Sequence, residues 1–186
     1  MTNARKRILT VPNLLSLLRL CMIPVFVILY LREHYIATAV TLILSGLTDI
    51  ADGWYARRFG AVSDLGKALD PIADKLTQFS MLLCLTRRHP TLLVPLLLLV
   101  VKELFAAVSG LVVIRATGRV PSAVWHGKVT TMLLYLLMFL HVVWKDIPLL
   151  LSNILTGICV VMMLISMTLY AIRNIRSIRA AKYGGT

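Results

Sequence analysis

Five short polar turns cut this chain into segments of similar length. They read LREHY at 31–35, RFGAVSD at 58–64, RRHP at 87–90, ATGRVPS at 116–122 and WKDIP at 144–148. The apolar segments between them lie near 11–31, 36–58, 64–86, 90–114, 122–144 and 147–172. One helix needs about 20 apolar residues to cross a bilayer. Backbone inside hydrocarbon must satisfy its own N–H and C=O groups, and a segment of this length does so as a helix. The apolar fraction of 59% and the mean hydropathy of +0.84 exceed the roughly 45–50% apolar content of a soluble domain. The chain therefore reads as an all-α integral membrane protein with six transmembrane helices. No stretch is long and polar enough for a soluble domain, so residues 1–186 are expected to form a single membrane domain. Pro24 and Pro71 lie deeper in their segments than the other prolines and are expected to kink them.

The net charge of +12 would suggest nucleic acid in a soluble protein. Here it sorts by side of the membrane. With both termini inside, the inner segments carry 13 Lys and Arg and the outer segments 4. That bias sets the orientation, with both termini and the 58–64 turn cytoplasmic, and no nucleic-acid partner is expected. The C-terminal RNIRSIRAAKY reads as a basic helix end lying against anionic membrane lipids. Arg19 interrupts the first apolar run and no small-residue cleavage site follows it, so the run is expected to be retained as a span. Cys21, Cys84 and Cys159 are scattered singly and read as buried thiols.

The acids are not scattered. Of eight Asp and Glu, five lie between Asp49 and Asp74, in DIADGWYARRFGAVSDLGKALDPIADK. Asp49 and Asp52 are spaced i, i+3 and share one helical face, which Gly53, Ala56 and Arg57 continue. Gly66, Asp70 and Asp74 are spaced i, i+4, i+8 and share another. If the two helices pack antiparallel, four carboxylates converge just below the cytoplasmic surface, in a polar cavity facing the cytoplasm. An uncompensated Asp in the membrane costs about 2.5–3.5 kcal/mol, so four would cost on the order of 10 kcal/mol. Lys75 adjoins Asp74 in sequence, and neighbours do not share a face. Divalent cations compensate better, because an all-carboxylate set selects hard ions such as Mg²⁺, Mn²⁺ or Ca²⁺. Two pairs of acids suffice for two metals about 4 Å apart, an arrangement suited to phosphoryl chemistry. Gly53, Ala56 and Gly66 remove side chains from the same faces. Alone that would read as close helix packing; beside four acids and Arg57 it reads as a slot in which Arg57 clamps a phosphate. A divalent-cation transporter is the competing class, since acids within spans also mark ion paths. It would carry acids through the whole membrane depth, and the outer half here has no matching set.

The stretch resembles the motif of the CDP-alcohol phosphotransferases, D-x2-D-G-x2-A-R-x8-G-x3-D-x3-D, in every fixed residue and every gap: Asp49, Asp52, Gly53, Ala56, Arg57, Gly66, Asp70 and Asp74. Six helices, cytoplasmic termini, Asn13 and Arg19 agree in outline. The resemblance implies an enzyme of phospholipid biosynthesis in a bacterial cytoplasmic membrane. A CDP-linked lipid such as CDP-diacylglycerol binds, an alcohol attacks the phosphorus nearest the lipid, and CMP leaves. It implies Asp49, Asp52, Asp70 and Asp74 as ligands of two Mg²⁺ or Mn²⁺ ions, with Asp74 also the general base on the acceptor hydroxyl. It implies Asp52, Gly53, Ala56, Arg57 and Gly66 as the nucleotide pocket, with Thr48 beside it, and a homodimer.

The acceptor must be read elsewhere. Lys102, Arg115, Arg119 and Lys128 are cations at the inner ends of the fourth and fifth segments, and would select an acceptor bearing phosphate. For Arg115 and Arg119, topology alone is an equal explanation. The HGKVTT segment, His126 to Thr131, resembles the segment after the fourth helix in the phosphatidylglycerophosphate synthase branch. Related synthases often carry Arg where Lys102 stands, which is a departure. Lys102 and Glu103 are sequence neighbours, so Glu103 is expected to bind something else. His126 reads as a structural hydrogen-bonder. The preferred acceptor is sn-glycerol 3-phosphate. A lipid alcohol is the alternative: phosphatidylglycerol, giving cardiolipin.

Overall fold

The computed structural model describes residues 11–59, 64–118 and 125–183, with side chains for 14–48, 71–118 and 125–181. Among the described residues the chain is helical throughout: α1 Val11–Leu31, α2 Tyr35–Phe59, α3 Asp64–Thr86, a short 3₁₀ turn Pro90–Leu92, α4 Leu93–Thr117, α5 Trp125–Val143 and α6 Leu149–Tyr183. The six helices begin and end within a few residues of the expected segments, except that α6 continues to Tyr183. Its basic last turns are helical, as expected of RNIRSIRAAKY read as a basic helix end. Pro24 and Pro71 lie inside α1 and α3.

Among the described residues, four helices are long and apolar enough to cross a membrane: Leu14–Leu31, Pro90–Thr117, Trp125–Val143 and Leu149–Ala181. Helix α2 contributes only the shorter apolar part Tyr35–Thr48. Burial is distributed as a membrane demands. Large apolar side chains such as Leu104, Leu149 and Leu150 are more than 60% exposed, whereas Ser16, Thr77, Gln78, Lys102, Ser152 and Ser166 are buried. Lipid is as apolar as Leu, so apolar residues can face outward, while polar groups turn inward to find partners. The buried Thr38, Thr77 and Thr130 bond back one turn, as Thr77 does to the Ala73 carbonyl at 2.8 Å.

The chain divides into two compact units: residues 1–88 with 138–146, and 89–137 with 147–186. In the first, α1 packs against both α2 and α3, around a core that includes Phe26, Leu42, Met81, Leu82 and Met138. In the second, α4 packs against α6, and Leu96, Leu99 and Met163 are buried.

Two turns show why the helices stop. Gly118 closes α4 at φ 67°, its N–H donating to the Ile114 carbonyl at 2.8 Å, the left-handed cap that glycine adopts without strain. At the end of α1 the His34 N–H reaches the Leu29 carbonyl and the Glu33 N–H reaches that of Tyr30, the same kind of closure. Here the left-handed position, φ 60°, is held by Glu33, at a cost of roughly 1 kcal/mol or more that glycine would avoid. Of the cysteines, Cys159 is buried and Cys84 half-buried, but Cys21 is exposed. That corrects the expectation for Cys21, which lies on the outer surface of α1.

Candidate active site

The motif residues fall on α2 and α3, both packed on α1. The side chains of Asp49, Asp52, Gly53, Ala56, Arg57, Gly66 and Asp70 lie outside the described residues, and so does Arg119. Thr48 and Asp74 are described. The Thr48 hydroxyl donates to the Ser45 carbonyl at 2.7 Å, so its proton is committed to its own helix.

Asp74 is part-buried, with its side chain 24% exposed. The Gln78 amide, one turn further along α3, donates to both carboxylate oxygens, at 3.3 and 3.2 Å. Lys75 Nζ stands 3.9 Å from Asp74 Oδ2. The no-shared-face argument therefore fails for this pair: a four-carbon stem can curl back to its neighbour. Gln78 is 1% exposed and its own carbonyl oxygen has no hydrogen-bond partner. Sequence reasoning missed Gln78, although its i+4 spacing from Asp74 was the available signal. Among the described residues no group of three His, Cys, Asp or Glu could hold a metal, and Asp74 is the one described carboxylate of the four.

The cationic residues belong to the second unit. Lys102 is buried, and its Nζ meets Glu103 Oε1 at 2.6 Å. Sequence neighbours thus pair here, contrary to the expectation from helical faces. In a poorly hydrated setting, leaving either charge unpaired costs more than bending two flexible side chains together. Arg115, in the last turn of α4, and Lys128, in the first turn of α5, are exposed.

His126 is buried at the start of α5, with Nδ1 3.0 Å from the Ser166 hydroxyl of α6, the structural role expected of it. Its ring meets Tyr170 edge-on at 4.7 Å, and the Arg173 guanidinium lies 5.0 Å over the Tyr170 ring. The Tyr170 hydroxyl fits because position 127 is glycine: a Cβ there would lie 2.7 Å from it. Asn174 donates to Ser109 at 2.9 Å and ties α6 to α4. The i, i+3 spacing of Tyr170 and Arg173 is the sequence signal for their contact.

The fold and the residues define a helical membrane protein whose acid-bearing motif lies on α2 and α3. The chain matches the CDP-alcohol phosphatidyltransferase family over residues 9–172. It belongs to that family, and is thus an enzyme rather than a cation transporter. Among its relatives is the CDP-diacylglycerol--glycerol-3-phosphate 3-phosphatidyltransferase of Aquifex aeolicus, 31% identical over 91% of this chain and 98% of that protein. The Bacillus subtilis protein of the same name is 31% identical over 64% of this chain and 69% of its own length. The cardiolipin synthase (CMP-forming) of Streptomyces coelicolor is 43% identical over 45% of this chain and 41% of its own length.

Proposed function

We propose that this enzyme transfers a phosphatidyl group from CDP-diacylglycerol to sn-glycerol 3-phosphate, releasing CMP and forming phosphatidylglycerophosphate. The similarity to the Aquifex protein over almost the whole of both chains carries the choice of acceptor. Arg173, which lies over the Tyr170 ring that meets His126, supports it, since an acceptor bearing phosphate needs positive charge. Lys102 would act through its charge and Arg115 and Lys128 as exposed cations drawing the anionic acceptor in. The higher local identity to a cardiolipin synthase favours phosphatidylglycerol as the second reading.

The whole chain, 1–186, would act as one membrane domain that crosses six times, with both termini and the acid-bearing ends of α2 and α3 cytoplasmic. The inside-positive charge supports that orientation. A homodimer in a bacterial cytoplasmic membrane is the expected form. Four carboxylates with no His or Cys among them fit hard divalent cations. Asp49, Asp52, Asp70 and Asp74 would hold two, Mg²⁺ or Mn²⁺, which when bound supply charge neutralisation at the pyrophosphate.

The chain's own residues would do the rest. Thr48, Asp52, Gly53, Ala56 and Gly66 line the space for the nucleotide, and Arg57 holds a phosphate through its guanidinium. Asp74 accepts the proton of the acceptor hydroxyl while Gln78 fixes the carboxylate's rotamer. The hydroxyl oxygen forms the new bond to the lipid-side phosphorus. The bond from that phosphorus to CMP breaks, and the electron pair leaves on the CMP phosphate. Purified enzyme with CDP-diacylglycerol, Mg²⁺ or Mn²⁺ and a panel of alcohols should release CMP with sn-glycerol 3-phosphate. Release with phosphatidylglycerol alone would transfer the assignment to cardiolipin synthesis; release with no alcohol tested would end the enzyme reading. Asp74→Asn should lower kcat at least about a hundredfold, the lower range for a general base, while CDP-diacylglycerol still binds.

A further inference from the structure

The end of the first unit away from the carboxylates also carries chemistry, and the transfer reaction makes no use of it. Arg88 of the turn after α3 donates to the Tyr35 hydroxyl at the start of α2, at 3.0 Å. That contact brings the end of α3 to the end of α1 and the start of α2. Asp74 lies 14 residues earlier, roughly 20 Å along the helix at 1.5 Å per residue. A cavity of about 230 Å³ opens there, lined by Tyr30, Leu31, Glu33, Tyr35, Arg87 and Arg88.

The charges around the cavity divide into committed and uncommitted groups. Arg88 is paired with Asp146 at 3.2 Å and lies 5.8 Å from the centre of the Tyr35 ring. Lys145 lies 5.7 Å from the same ring centre. Arg87 and Glu33 make no side-chain hydrogen bond or ion pair among the described residues, with each other or with anything else. Glu33 also occupies the left-handed position that glycine would hold without strain. One uncommitted cation and one uncommitted anion therefore face a space flanked by tyrosines. Tyr30, Tyr35 and the exposed Trp144 sit at helix ends, where aromatic residues mark the depth of the lipid headgroups.

We propose that this cavity binds the headgroup of a zwitterionic phospholipid of the leaflet opposite the carboxylates. Arg87, beside the fixed Arg88, takes the phosphate, and the Glu33 carboxylate takes the ammonium. A free phosphate would satisfy the arginines but leave Glu33 facing a like charge. An anionic headgroup without an amine would do the same. A phosphate joined to an ammonium by two carbons complements both groups at once.

Full-length protein in detergent, mixed with equal amounts of phosphatidylethanolamine and phosphatidylglycerol, tests this by native mass spectrometry of the retained lipid. Wild type should keep one phosphatidylethanolamine in preference to phosphatidylglycerol. Arg87→Gln should weaken its retention about tenfold, a modest loss for a charge-assisted contact. Glu33→Gly relieves the left-handed backbone, so it should fold at least as well, and it should erase the preference between the lipids. Release of CMP should be unchanged in both variants, which verifies the fold. Equal retention of the two lipids by wild type would overturn the proposal, as would either variant behaving like wild type. Displacement of the lipid by water-soluble O-phosphoethanolamine at the same concentration would overturn the lipid as occupant, leaving a soluble phosphate ester in its place.

Discussion

Gln78 is buried to 1% exposure, spends its amide protons on Asp74, and leaves its own carbonyl oxygen without a partner. These facts pull stability and activity in opposite directions. An unsatisfied buried acceptor costs about 1–3 kcal/mol, so Gln78→Leu, of similar volume, removes a penalty from the folded state. The same change deletes a donor to a carboxylate. Bonds to charged groups contribute about 1.5–3 kcal/mol. These distances, 3.3 and 3.2 Å, are longer than the roughly 2.7–2.9 Å of strong charge-assisted pairs, and the low end of that range applies. If Gln78 fixes the rotamer from which Asp74 takes the acceptor proton, about 1.4 kcal/mol enters the barrier, which is tenfold in rate. Asp74 retains some access to solvent, so its lost partner costs the fold little. The expected result is an unfolding midpoint unchanged or raised by a few degrees, with kcat for CMP release about tenfold lower and KM for CDP-diacylglycerol unmoved. Gln78→Glu should lower kcat further, because it sets a second carboxylate one turn from the first. A lowered midpoint with kcat unchanged would refute the reasoning and leave Gln78 a packing residue.

Gly127→Ala sets a Cβ 2.7 Å from the Tyr170 hydroxyl; the ring must shift and carry its contact with Arg173, so KM for sn-glycerol 3-phosphate should rise several-fold while that for CDP-diacylglycerol holds. Equal changes in both would point to misfolding, and thermal melts of the variant would check that. Lys102→Met leaves Glu103 without its 2.6 Å partner and should destabilise by about 1–3 kcal/mol in chemical unfolding, a range reduced from that of fully buried pairs because Glu103 is 30% exposed. Adding Glu103→Leu should recover most of that loss.

The helices were legible because hydrocarbon permits few alternatives: apolar runs of bilayer length, separated by short polar turns, read as helices. The acid faces were legible too, since i, i+3 and i, i+4 spacing needs no tertiary information. What the sequence hid depends on reach rather than on position. Lys75 and Lys102 each fold back onto the neighbouring acid, because a long flexible stem relaxes the angular rule that short side chains obey. The Glu33 turn was hidden for a related reason. A left-handed cap is sought at glycine or asparagine, and only the backbone hydrogen bonds from Glu33 and His34 reveal one at a glutamate.

The Tyr170 arrangement shows a third limit. Gly127, His126 and Ser166 acquire meaning together, because the ring fits against α5 only where a side chain is missing, and its edge then meets the imidazole that Ser166 holds. Each residue alone has an ordinary explanation: a helical glycine, a lone histidine, a serine on an apolar helix. Their conjunction spans about 40 residues of sequence, from α5 to α6, and no periodicity links them. A site of this kind is found through what a glycine makes room for, and Arg173 joins it through its contact with the Tyr170 ring.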